Sequence, residues 1–153
     1  GDGGGSGVAL LEVYDGDTSA AARLVNVSTR AFVGTGEQVL IPGFVVSGQG
    51  TMKILIRAVG PGLAAFGVSG TLADPQMTLF RGTTTVASND NWSSAANATD
   101  IATAATNSGA FALAGGSRDA ALLVELAAGA YTVSVVGVGA TNGTALVELY
   151  VVQ

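Results

Sequence analysis

The sequence predicts an all-β protein: an antiparallel β-sandwich, jelly-roll-like, with at most one short helix. Three observations predict it. Runs rich in Val, Ile, Thr and Tyr recur at roughly ten-residue spacing and are divided by Gly, Asn and Asp, the pattern of short strands and turns. The three prolines, Pro42, Pro61 and Pro75, fall at turns or interruptions. Only one stretch has the composition of a helix. With 153 residues the chain holds one domain of ordinary size and not two independent cores.

Residues 1–7 form a Gly/Ser-rich arm with one acid, Asp2, and residues 8–153 form the domain. The first strand is expected over 8–14 and is broken by the turn chemistry of Asp15-Gly16-Asp17-Thr18. Residues 23–29 and 38–47 are β-branched runs, the second interrupted at Pro42-Gly43, which suggests a bulge or a sheet edge. In 51–59, Met52, Ile54 and Ile56 share one face and Lys53, Leu55 and Arg57 the other. Residues 60–75 read as a long loop. Residues 76–81 and 84–88 read as a hairpin around Gly82. The helix is expected over 94–106, Ala-rich and capped by Ser93 or Ser94, with Ile101 as its main apolar residue. Three strands, 120–126, 131–138 and 144–152, close the chain around Gly-centred turns.

Composition excludes most chemistry. The chain has no His and no Cys, which removes Ser-His-Asp and Cys-His nucleophile systems, imidazole or thiolate zinc sites, haem ligation and disulfides. Lys53, the single lysine, has no Ser three residues before it, so the Ser-x-x-Lys pattern is absent. Asp15 with Asp17 and Asp90 with Asp100 are candidate acid pairs, and turn hydrogen bonding explains them at least as well as general acid-base work. Gly137-Val138-Gly139 is followed by a strand, so it offers no helix N-terminus to a pyrophosphate. A non-catalytic protein without a cofactor is expected. Calcium is the ion most compatible with this inventory, through Asp15 and Asp17 or Asn89-Asp90-Asn91, but neither set makes a six- to eight-coordinate site. Trp92, the lone Trp, reads as a plug over one end of the core rather than a carbohydrate platform.

The net charge of −5 with six basic residues provides no positive stripe for phosphates, so nucleic acid is not an expected partner. Charged residues are only 11% of the chain, against about 25% in ordinary soluble domains, so the surface is poorly defended against association. Residues 126–147 carry no charge, yet Gly129, Gly137, Gly139, Asn142 and Gly143 interrupt them, and they are not expected to span a membrane. The start at Gly1, with no Met and no signal segment, suggests a processed or excised product. Four of the six Asn residues, Asn26, Asn91, Asn97 and Asn142, begin Asn-x-Ser/Thr sequons. They are candidate glycosylation sites, with Asn91 and Asn97 in the polar loop favoured.

The chain also repeats itself. Gly7-Val8-Ala9-Leu10-Leu11-Glu12-Val13-Tyr14 aligns with Gly143-Thr144-Ala145-Leu146-Val147-Glu148-Leu149-Tyr150, with Gly, Ala, Leu, Glu and Tyr identical. Two ordinary strands of one sandwich would suffice to explain this; a unit built for head-to-tail series would explain it more specifically. In the C-terminal copy, Ala145, Val147 and Leu149 lie on one side and Leu146 and Tyr150 on the other, so the strand requires cover on both faces.

Several segments carry a family likeness: Arg23-Leu24-Val25-Asn26-Val27-Ser28-Thr29-Arg30-Ala31-Phe32-Val33-Gly34-Thr35-Gly36, Ile54-Leu55-Ile56-Arg57-Ala58-Val59-Gly60-Pro61, Ala120-Ala121-Leu122-Leu123-Val124 and Gly129-Ala130-Tyr131-Thr132-Val133. Over most of its length the chain resembles a repeated β domain of large secreted bacterial surface proteins. Its second half, through Asp74-Pro75, Leu79, Ala87, Asn89-Asp90-Asn91-Trp92 and the Gly-x-Tyr-Thr-Val strand, is similar to the bacterial pre-peptidase C-terminal domain. The resemblance implies an extracellular or cell-surface module with no active site.

The expected function is a structural subunit whose partners are copies of itself. Its N-terminal strand, through Val8, Leu10, Leu11, Val13 and Tyr14, would be donated to a neighbour and propagate a fibre. That segment has no Lys, Pro or bulge to guard it, and its one charge is Glu12. The alternative is a secreted module binding carbohydrate or another surface ligand. It is the less favoured, because the nine aromatic residues form no cluster in the sequence.

Overall fold

The structure, a computed structural model, describes residues 11–13 and 24–152. It contains β1 (Asn26–Val33), β2 (Gly43–Val59), β3 (Pro75–Arg81), β4 (Thr84–Asn89), α1 (Ala98–Asn107), β5 (Ala120–Gly137) and β6 (Gly143–Val151). Short 3-10 segments occur at Pro61–Phe66, Trp92–Ser94 and Val138–Ala140. All strand pairs are antiparallel, in the order β1-β6-β2-β5-β3-β4.

Two long strands turn this one sheet into a sandwich. A straight strand of the 17 residues of β2 would run about 56 Å, whereas a compact chain of this length has a radius of gyration of only about 15 Å. The strand must bend, and its pairing with β5 is broken between Val46 and Thr51. Gly48 and Gly50 in this break have φ of 100° and 85°, values that L side chains rarely adopt. Beyond the break β6 pairs with residues 54–59 of β2. At the other end of the 18-residue β5, β3 pairs with residues 132–137. The two long strands thus serve both layers. Val33, Leu55, Ile56, Met77, Leu79, Val133, Val135, Ala145 and Val147 belong to one buried cluster. An antiparallel β-sandwich with one short helix is the observed class.

Several boundaries differ from the sequence expectation. Residues 43–47 of the expected strand 38–47 join 51–59 in β2, and 120–126 joins 131–137 in β5, because polar or Gly-rich centres bend these strands without ending them; the strand expected over 23–29 runs over 26–33 as β1. Before β2, Leu40 makes only an isolated bridge to Val135, consistent with the interruption at Pro42. The helix begins at Ala98, not residue 94, since Trp92–Ser94 is a separate 3-10 turn. The first strand was expected over 8–14. Its residues 11–13 have no strand structure, and residues 8–10 and 14 lie outside the described residues, as do the arm 1–7, Asp15 and Asp17.

Alternation along residues 51–59 places Lys53, Leu55 and Arg57 on one face, and two charges there would ordinarily face solvent. Instead, every residue of 54–59 is buried, Arg57 included. The face bearing Arg57 is covered by α1 and the segment that follows it: the guanidinium donates to Phe111 O at 2.6 Å and lies 4.3 Å above the Phe111 ring. The requirement of β6 for cover on both faces is likewise met, with Ala145 and Val147 buried on one side and Glu148 and Tyr150 on the other.

Candidate assembly surface

Strand β6 lies between β1 and β2, and its slot imposes a demand at nearly every position. Gly143 opposes Val33 and packs against another backbone: a Cβ there would lie 2.6 Å from Leu72 N and 2.7 Å from Thr71 C. Only a residue without a side chain permits that approach. Ala145 and Val147 are fully buried, so volume is limited. Glu148 stands opposite Arg57 of β2, and its Oε2 is 2.8 Å from Arg57 Nη2. The Tyr150 hydroxyl donates to Glu148 Oε1 at 2.8 Å.

The Arg57–Glu148 pair is close but not ideally aligned. Arg57 Nε and Nη2 and Glu148 Oε2 make no directional hydrogen bond, so the contact is chiefly Coulombic on that side. Burial pushes the Tyr150 phenol up to about 12, and its hydrogen bond to the Glu148 carboxylate and that group's charge act in the same direction, with Arg57 opposing. Tyr150 therefore remains a donor to Glu148 throughout the physiological range. The polar cluster specifies register: a one-residue slip of β6 would expel Glu148 from its partner and bury an apolar residue against the guanidinium.

A cavity of about 80 Å³ adjoins this cluster, lined by Arg57, Trp92, Ile101, Ala105, Thr106 and Leu113 among others. It has room for a few waters and lies well below the several hundred Å³ of small-molecule sites. Trp92 is half-buried, packs against the core and donates its indole N–H to Ala114 O and Ser117 Oγ. Its expected role as a plug over the core agrees with this geometry.

The remaining acids of interest hold backbone in place. Asp119, fully buried, accepts from Gly60 N and Gly62 N through Oδ1 and from Ser117 Oγ through Oδ2. Asp74 pairs with Arg118 at 3.0 Å. Asn89, one of the candidate calcium ligands, accepts from Ala121 N and donates to Asn91 O, so its amide links β4 to β5. Among the described residues no three carboxylates cluster.

Of the sequon residues, Asn26 and Asn142 are exposed, whereas Asn91 and Asn97 are half-buried. The Asn26 amide donates to Leu149 O, and the Asn97 amide donates to Leu123 O. Sequence reasoning overlooked Arg57, Glu148 and Asp119 as structural centres. The signal for the first two was a charge of opposite sign in each of two apolar stretches, Arg57 within residues 54–59 of β2 and Glu148 within β6.

On the outside of the sheet, β1 forms one edge. Arg30 is its only charge and it contains no proline. Val25, Val27 and Phe32 are exposed beside or along it. Leu11 and Val13 of the expected donor segment are also exposed, at 82% and 62%. Among the described residues no helix is long and apolar enough to cross a membrane.

No protein-family model and no curated protein matches the chain. Among solved structures, it is similar to the pre-peptidase C-terminal domain of collagenase from Bacillus anthracis. That similarity has 12% identity and a TM-score of 0.49, and it covers 82% of this chain and 89% of that one.

Proposed function

We propose that the chain is a non-catalytic extracellular structural subunit that assembles head to tail into a surface filament or fibre by β-strand donation. One observation carries this reading. Leu11 and Val13, two apolar residues of a segment that spells a two-faced strand, stand exposed and without strand structure in the isolated chain. Exposed apolar side chains such as these two are suited to finding cover in a neighbour. The scarcity of surface charge lowers the barrier to such contact. An accessory module for carbohydrate finds less support, since the indole N–H of Trp92 is engaged internally.

Deletion of residues 1–14 tests the reading. Electron microscopy and sedimentation of the intact chain are expected to show fibres, and the deleted chain is expected to remain a soluble protomer. Fibres that form unchanged without these residues overturn it.

A further inference from the structure

The five identities between residues 7–14 and 143–150 gain meaning from the slot around β6. Gly143 is required by the close approach of the Leu72 backbone. Ala145 is fully buried. Leu146 is half-buried opposite Val59 and Arg30. Glu148 meets the buried Arg57, and Tyr150 donates to Glu148. The N-terminal segment carries the same residues at the same spacing: Gly7, Ala9, Leu10, Glu12 and Tyr14. Where the copies differ, Val8, Leu11 and Val13 replace Thr144, Val147 and Leu149 with residues that favour or tolerate a buried strand. Ordinary apolar alternation demands neither a Gly at the first position nor a Glu-x-Tyr ending.

We propose that residues 7–14 are a second β6, able to fill the β6 slot of another copy of this chain, with Glu12 taking the place of Glu148 against Arg57. This rests on the strand-donation reading and names its receiving site: the interior slot between β1 and β2, not the outer edge of β1. Each copy then holds one slot and two strands that fit it. Exchange replaces one strand by a near equivalent, with the extra methylene of Leu11 in the buried place of Val147 as the chief change, so concentration weighs heavily in the outcome. In the single protomer β6 fills the slot, and a strand from another copy competes with an intramolecular occupant whose effective concentration is on the order of mM. Trans occupancy is expected where copies are packed at comparable density, as within a fibre. A displaced β6 is itself a fitting strand for the next slot, so exchange links copies in series.

Because the chain has no cysteine, thiol crosslinking reads the slot directly. Ala58 opposes Val147 across β2 and β6, and Leu11 is the counterpart of Val147. A full-length chain with Ala58→Cys and one with Leu11→Cys are assembled together and treated with a short thiol-to-thiol crosslinker. A single chain carrying Ala58→Cys and Val147→Cys shows that the geometry permits the link. The expected result is a covalent heterodimer in the assembled material. Its yield should fall several-fold with Glu12→Gln in the donor and rise several-fold with Glu148→Gln in the acceptor. Thr29, on β1, also opposes Val147 and faces occupants on either side of that strand. Crosslinking of Leu11→Cys to Thr29→Cys without any to Ala58→Cys places the donor on the outer edge. That outcome overturns the slot while leaving strand donation standing. Absence of both links in fibres, or a yield indifferent to Glu12→Gln, also overturns the proposal. Failure of donation itself is read separately, by fibres that persist without residues 1–14.

Discussion

Arg57 and Glu148 face each other from adjacent strands at 2.8 Å, with their side chains almost wholly withdrawn from solvent. A buried pair of this kind is a poor source of net stability and a strong determinant of arrangement, because removing one partner leaves the other charge without compensation.

Glu148→Ala is therefore expected to lower the unfolding free energy by about 3–5 kcal/mol. The double variant Arg57→Met with Glu148→Leu is expected to recover most of that loss. Urea unfolding followed by Trp92 fluorescence measures both. Equal losses in the single and double variants would show that packing rather than charge governs the site.

Tyr150 sets an alkaline limit. Its folded pKa of about 12 exceeds the unfolded value of about 10, so the folded state retains a proton that the unfolded state releases. The associated stability is present below pH 10 and is lost as pH rises towards 12, by at most about 3 kcal/mol. Tyr150→Phe is expected to flatten this part of the profile. Chemical unfolding at a series of pH values between 9 and 11.5 checks it, and an identical slope in both proteins refutes it.

Asp119 is expected to matter through its backbone donors. Asp119→Ala leaves Gly60 N and Gly62 N without their acceptor and should cost about 2–4 kcal/mol. Asp119→Asn keeps the Oδ1 acceptor and should cost less. Thermal unfolding orders the two, and equal losses would assign the effect to charge alone.

Glycosylation is testable by mass. Asn142 and Asn26 are exposed, whereas Asn91 and Asn97, the polar-loop sites that the sequence favours, are half-buried, so Asn142 joins them as a site to examine. In a digest of protein isolated from its source, the peptide carrying Asn142 is expected to exceed its bare mass by that of a glycan. Sequon peptides found only at their bare masses remove the idea.

By itself the sequence determined the class of fold and much of its punctuation. Period-two apolar runs divided by Gly, Asn and Asp correspond to β1, β3, β4 and β6, and Gly82, with a φ of 58°, turns the β3–β4 hairpin as expected. It also determined what chemistry is absent, since an inventory without His or Cys needs no folding to interpret. The match between residues 7–14 and 143–150 is legible too. Tertiary structure alone decided that residues 38–59 contain a single bent strand and that both faces of residues 54–59 are buried. Bending depends on layer packing, and burial on what lies opposite, and neither is encoded in local alternation. The same holds for Arg57. Its charge reads as a surface feature until α1 and Phe111 cover one side and β6 brings Glu148 to the other. Long-range pairing, with Arg57 and Glu148 far apart in the chain, converts two unremarkable charges into the constraint that fixes the register of the last strand.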